Sequence, residues 1–293
     1  MPSLKSIRTQ IASKKSTQKI TRAMKLVSAA RLRGAQDAIL AARPYANALV
    51  EVISQVAARA GAEAHPLLER RDPKRVTLVA ITSDRGLAGG FNANITRAIS
   101  RFAVDHPDAE LSLEIVGKKG RDYYRRRKLT VRHELPGATG ATAGELARQV
   151  ASIVVDAFVN GQTDAVYLVY NEFKSAVQQR IVVEPLLPVT QAQVAGGVAP
   201  TATDATPIDF LYEPSKKELL DVLLPQFIES QVHRALLESV ASEFGARMTA
   251  MENATNNAKE MIAGLTLKYN RVRQAAITKE LMEIVSGAEA LKG

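Results

Sequence analysis

Residues 215–291 read SKKELLDVLLPQFIESQVHRALLESVASEFGARMTAMENATNNAKEMIAGLTLKYNRVRQAAITKELMEIVSGAEAL, a run with no obvious helix stop inside it. Pro225 comes early, and Gly245 and Gly264 are interior glycines. At 1.5 Å per residue, roughly 70 helical residues span on the order of 100 Å, about twice the width of a compact chain of this size. Such a helix must project, find a partner, or both. Leu237, Phe244, Met251, Ala258, Leu265 and Val272 recur every seven residues, with Val240, Ala254, Met261 and Ala275 on the interleaved position. That is a heptad seam, and it needs a second helix.

The second helix is expected at the other end of the chain. Residues 3–59 carry Leu4, Ile7, Ile11, Thr21, Met24, Ser28, Leu32, Ala35, Ile39, Ala46, Leu49, Val52 and Val56 as an apolar or small-residue stripe at helical spacing, interrupted by Lys14 and Gln18. Ser3 is the expected N-cap. Pro44 removes one backbone bond and is expected to bend this helix. The simplest pairing is antiparallel, within the same chain.

The 293 residues allow one large or two modest domains, and 46% apolar residues suffice for a core. No apolar run approaches the ~18–20 residues of a membrane span, so a soluble or peripheral protein is expected. The absence of cysteine excludes disulfides, thiolate metal sites and cysteine nucleophiles. His65, His106, His133 and His233 are scattered without ligand spacing, so no metal site is expected. The net charge of +9 lies in residues 1–43, where ten basic residues face only Asp37. A basic helix of this kind suits nucleic acid, an anionic membrane, an acidic protein or a transit peptide. The pattern runs on to Arg59 without a cleavage-like site, which speaks against the last of these.

Between the long helices the pattern alternates as in an α/β domain. Strands are expected at Val76–Thr82, Leu111–Val116, Leu129–His133, Ala165–Tyr170 and Val177–Val183. Helices are expected at Asn92–Val104, Lys118–Arg127 and Thr142–Asn160, the last with a Thr142/Glu145 capping box. Gln191–Pro207 is rich in Ala, Thr, Gly and Pro and reads as a flexible loop, and Asp209–Tyr212 as a short extended piece. The expected division is therefore 1–60, a first coiled-coil helix; 74–190, an inserted Rossmann-like α/β domain; 191–208, a flexible loop; and 209–293, the second coiled-coil helix.

Ser83–Asn92, SDRGLAGGFN, follows a strand and precedes a helix, where phosphate loops sit. It lacks both GxxxxGK[ST] and GxGxxG. The plainer reading is a tight turn in which Asp84 and Arg85 pair locally or face a partner. Tyr123-Tyr124 ahead of Arg125–Lys128 could stack single-stranded nucleic acid, but such runs are more often solvated helix faces. No catalytic constellation and no cofactor fingerprint emerge.

Three stretches carry a resemblance: Ile7-Arg8 with Thr17–Val27 (TQKITRAMKLV), Ser83–Asn92, and Tyr269–Glu280 (YNRVRQAAITKE) through Ser286-Gly287-Ala288. On these, the chain resembles the γ-subunit family of F-type ATP synthases over essentially its full length. It departs at Ala88, where the family usually has cysteine, and it lacks the cysteine-bearing insert of chloroplast members, which excludes thiol control.

The resemblance implies a left-handed, antiparallel coiled coil inside an α3β3 hexamer, with the α/β domain as a foot on the ε subunit and the c-subunit ring. It implies a proton-driven rotor shaft, peripheral to the cytoplasmic face of a bacterial inner membrane, with no active site or cofactor of its own. Contacts with β map onto Met24, Arg22, Lys25, Asp84, Arg85, Ala88, Arg247, Arg273, Gln274, Thr278 and Glu280, with Lys14 and Lys15 as further candidates on the basic face. Tyr212 and Glu213 map to the foot. Leu281, Ile284, Val285 and Leu291 form an apolar tip turning in a sleeve, where contacts without directional bonds suit low friction. A basic coiled-coil nucleic-acid binder and a Rossmann-type enzyme with helical arms are the competing readings. The first requires steeply salt-dependent DNA binding, and the second a fingerprint that is absent.

Overall fold

The computed structural model describes residues 3–60, 65–127, 129–190 and 216–290, without the side chains of 54–60, 216–217 and 290. The 191–208 loop, the 209–212 segment, Tyr212, Glu213, Leu291 and the Val56 side chain lie outside the described residues. In chain order the elements are α1 (Leu4–Ala60), a 3-10 turn (Pro66–Leu68), β1 (Arg75–Ile81), α2 (Phe91–Asp105), β2 (Glu110–Val116), α3 (Lys118–Tyr124), β3 (Thr130–Leu135), α4 (Ala143–Val159), β4 (Ala165–Phe173), β5 (Gln179–Leu187) and α5 (Lys216–Ala290). Both long helices continue through their prolines, Pro44 and Pro225. Contacts gather the chain into two compact units, Met1–Ser28 with Met248–Gly293, and Ala29–Arg247.

The first unit is a helix pair. Ser3 caps α1 by accepting from the Ser6 amide at 3.2 Å. Thr21 lies beside Thr255, their hydroxyls 2.7 Å apart, and Lys25 beside Glu252 at 2.5 Å. Advancing four residues on α1 retreats three on α5, so the pairing is antiparallel. The same register sets Leu4 opposite about residue 272. The α1 face is spaced by threes and fours: Ile7, Thr21 and Ser28 are buried, and Leu4, Ile11, Lys14, Gln18 and Met24 are half-buried. Lys14 and Gln18 therefore continue the seam rather than interrupt it, laying aliphatic stems along it.

On α5 the seam is shifted from its expected line. Met251 and Ala258 are buried, and Leu265 and Val272 are half-buried as expected. Of the expected interleaved positions Val240 is buried and Ala254 half-buried, but Met261 and Ala275 are exposed, and Thr255, Ile262, Tyr269 and Ala276 are half-buried beside them. Positions three and four residues on both lie near the same helical face, and an apolar count chose Met261 over its neighbour. The polar Thr255 belongs to the seam because its hydroxyl meets Thr21 and the Met251 carbonyl.

The second unit is built on a five-stranded sheet of order β3-β2-β1-β4-β5, parallel except for the antiparallel edge strand β5. β1 is apolar on both faces, as a central parallel strand must be. Val79 and Ile81 enter one core with α4, the 49–53 stretch of α1 and the 220–237 stretch of α5. Val76, Leu78 and Ala80 enter the other, with Ile95, Ile99 and Phe102 of α2 and Tyr124 of α3. In α1 the buried residue is Ile53 and not Val52, which is exposed. Gly245 of α5 is buried; a side-chain Cβ there would stand 3.3 Å from the backbone of Ala176 in the β4–β5 turn.

Three local expectations are corrected. β4 and β5 extend past their expected bounds to Phe173 and Leu187, because they pair along their length as a hairpin. Pro185 is accommodated in β5 because that strand is an edge. The Thr142/Glu145 capping box does not form. Thr139 and Thr142 instead exchange bonds, each amide donating to the other's hydroxyl oxygen at 3.0 and 3.2 Å, and Glu145 pairs with Arg148. Helix α3 stops at Tyr124, three residues short of Arg127.

Candidate functional site: the helix seam and the Ser83–Asn92 loop

In the helix-pair unit, Lys19, Arg22 and Lys25 line one groove of about 540 Å3 with Glu252, Thr255 and Asn256. Arg22 points to solvent, while Lys25 is already engaged by Glu252. Met24 is half-buried against the seam. Arg273, Gln274, Thr278 and Glu280 are all exposed, and they lie past residue 272, where α1 has ended. Leu281 (58% exposed), Ile284 (72%) and Val285 (48%) are open, as are Ile277 and Met282. An apolar single helix in water is costly unless something covers it.

In the other unit, Ser83–Asn92 is tied by side chains. Asn92 closes the loop, its amide nitrogen donating to Ser83 Oγ at 2.8 Å and its oxygen accepting from the Ser83 amide at 3.0 Å. Asp84 Oδ1 accepts from the Lys118 and Gly137 amides. Arg247 of α5 donates to the carbonyls of Arg85 (3.3 Å) and Gly86 (3.2 Å) and to the Glu243 carboxylate (2.5 Å). Burial pushes the Glu243 carboxyl up, and the Arg247 guanidinium opposes it. The guanidiniums of Arg31 and Arg247 both lie within 6 Å of the Phe244 ring centre. Cation–π contacts of this kind contribute about 0.5–2 kcal/mol each.

The structure thus brings Arg22 and Lys25 together in one place and Asp84, Arg85, Ala88 and Arg247 in another. Ala88 is 2% exposed and Arg247 7% exposed. Ala88 is covered because the loop folds over it, and Arg247 is spent on the loop's own carbonyls. Apart from glycines, the exposed loop residues are Arg85 and Leu87. Leu87 was not legible from sequence. It adopts a left-handed backbone (φ 64°) and is 63% exposed, a conformation that side chains other than Gly and Asn seldom take. The stacking platform at Tyr123-Tyr124 is closed, since Tyr124 is buried and Arg127 covers the Tyr123 ring at 3.5 Å. No group of acidic or histidine side chains among the described residues could hold a metal ion, and no described helix is long and apolar enough to cross a membrane.

Comparison with known proteins covers the whole chain. The family described as ATP synthase matches residues 3–291. The ATP synthase gamma chain of Anaeromyxobacter sp. (strain Fw109-5) is 55% identical, covering 100% of both chains, and that of Geobacter sp. (strain M21) is 50% identical with the same coverage. Among solved structures, the central stalk/c-ring of the Tetrahymena thermophila mitochondrial ATP synthase contains a chain 29% identical, with a TM-score of 0.58 over 80% of this chain and 99% of that one. A chain of the Euglena gracilis mitochondrial ATP synthase shares the fold at 20% identity, with a TM-score of 0.64 over 98% of this chain and 94% of that one. With curated relatives that match it from end to end at half their residues or more, the chain belongs to the family of ATP synthase γ chains.

Proposed function

We propose that this chain is the central rotor shaft of a proton-translocating F-type ATP synthase. It couples rotation of the c-subunit ring to conformational change at the catalytic sites of an α3β3 hexamer, and it has no active site of its own. The observation that carries this reading is the end of α5. Antiparallel pairing exhausts α1 near residue 272, and the helix then runs on alone to Ala290 with Ile277, Leu281, Met282, Ile284 and Val285 open. A shaft tip inside a sleeve of other chains explains both the absence of a partner helix among the described residues and the apolar surface. The likeness to a chain described as central stalk supports the same reading.

Rotation works by differential contact: an asymmetric shaft presents different residues to each β subunit at each angle and so favours a different state in each. Arg22 and Met24, the exposed Arg85, and Arg273, Gln274, Thr278 and Glu280 are the contact residues in this proposal. ε and the c ring are the partners at the foot, where Tyr212 and Glu213 are assigned. The expected location is the cytoplasmic face of a bacterial inner membrane, peripheral through the c ring.

The purified chain is expected to show no ATPase activity, and a tagged copy to bring α, β and ε out of solubilised membranes together. Recovery of the chain without α and β, or bound to DNA in a steeply salt-dependent way, would contradict this reading.

A further inference from the structure

The C-terminal ends of parallel strands are where open α/β sheets bind phosphates, using the free amides at the start of a following helix. At the start of α3 in this chain those amides are taken by the chain itself. At the start of α3, the Gly117 amide donates to the Leu135 carbonyl at 2.9 Å and Lys118 to Asp84 Oδ1 at 2.9 Å. Lys119 donates to the Ser83 carbonyl at 3.0 Å, Gly120 to Thr82 Oγ1 at 2.9 Å, and Arg121 to the Gly117 carbonyl at 3.3 Å. The Gly137 amide, just past β3, donates to Asp84 Oδ1 at 3.0 Å. Three consecutive residues, Thr82, Ser83 and Asp84, thus satisfy four of these donors.

Three glycines make room for this insertion. A Cβ at Gly117 would lie 2.2 Å from the Thr82 carbonyl oxygen, one at Gly120 2.7 Å from Thr82 Oγ1, and one at Gly137 2.7 Å from Asp84 Cγ. On the far side, Arg247 holds the carbonyls of Arg85 and Gly86. The residue that follows, Leu87, is strained into the left-handed region and exposed. A leucine stays there only when its surroundings over-determine it.

We infer that Asp84 is an internal anion that latches the loop onto the Lys118 and Gly137 amides, and that with Arg247 it is a positioning residue which fixes how Arg85 and Leu87 project. Asp84 then acts through the loop and not by touching a partner subunit. This rests on the shaft reading only for its coupling readout; the latch itself is a property of this chain.

The test uses the assembled enzyme carrying Asp84→Ala, Asp84→Asn, Gly137→Ala or the double variant Asp84→Ala/Gly137→Ala. Gly137→Ala leaves every loop residue's identity unchanged while its Cβ would stand 2.7 Å from Asp84 Cγ and 3.2 Å from the Asp84 amide nitrogen, which displaces the carboxylate. Two quantities are read: hydrogen exchange of segments 117–121 and 136–139, and protons pumped per ATP hydrolysed in vesicles. The expected result is that Asp84→Ala and Gly137→Ala each speed exchange by about tenfold, as for a lost charge-assisted bond, and lower pumping per ATP to a similar degree. Asp84→Asn retains an acceptor oxygen and holds most of both. The double variant is no worse than either single one, because both remove the same interaction. A normal Gly137→Ala enzyme beside an uncoupled Asp84→Ala enzyme would overturn the inference, since Asp84 would then act by outside contact. Unchanged exchange in Asp84→Ala would overturn it too, as would raised exchange with intact coupling. If the unaltered complex did not pump at all, the shaft reading would fail while the exchange data still judged the latch.

Discussion

Thr21 and Thr255 show how single residues set the helix pair. Their hydroxyls share a bond in a seam that also buries Ser28, and each lies within hydrogen-bond distance of a carbonyl of its own helix, Gln18 or Met251. Replacing either with Val removes the bond between the helices, while the remaining hydroxyl keeps its own-helix carbonyl, and is expected to cost about 1 kcal/mol. The double Val variant is expected to cost less than the two singles together, because each single already removes the same bond; additive losses in thermal unfolding would contradict the pairing. Asp164 makes a pH prediction. Hydrogen bonds from the Arg75 side chain, chiefly, hold its carboxyl below the usual range. A lowered carboxyl contributes stability that is present above the unfolded value, near 3.8, and is lost as the pH falls through the folded one. Asp164→Asn is therefore expected to lower the melting temperature at pH 7 and to narrow the gap to the unaltered protein below pH 4. At this scale the sequence was least informative. Nothing in it marks Leu87 as left-handed, since leucine normally avoids that region, and nothing in it marks Ala88, placed through the resemblance, as buried.

Among the elements, both long helices and the alternation of strands and helices were legible, because apolar periods of 3.6 and 2 differ clearly over long runs. The seam register was less so. Met261 and Ile262 are adjacent and both apolar, and only the structure shows that Ile262 faces α1 while Met261 faces solvent. Ile262→Ala is expected to destabilise the helix pair by about 1 kcal/mol, in line with a half-buried aliphatic side chain, and Met261→Ala by much less. Equal effects in thermal unfolding would return the seam to Met261. The start of α4 teaches a similar lesson. Threonines at 139 and 142 offer two equivalent caps, and the pair that bond each other's amides displaced the Thr142/Glu145 arrangement.

For the whole molecule, the membership of an ATP synthase γ family was readable from three separated motifs, while which of their residues look outward was not. The motif residues divide into those that hold the chain's own structure, Asp84, Ala88 and Arg247, and those that remain open, Arg22, Arg85, Arg273, Gln274, Thr278 and Glu280. Local geometry made that division: a carboxylate finding two amides, a guanidinium finding two carbonyls. The central claim is that this chain turns inside its partners. The most direct measurement is to reconstitute it with α and β, fix β to a surface, attach a probe to an exposed residue of the Ala29–Arg247 unit such as Val177, and watch the probe during ATP hydrolysis. Sustained rotation in one direction that slows as ATP is withdrawn is the expected result. Full ATP hydrolysis with a probe that never rotates would contradict the shaft reading.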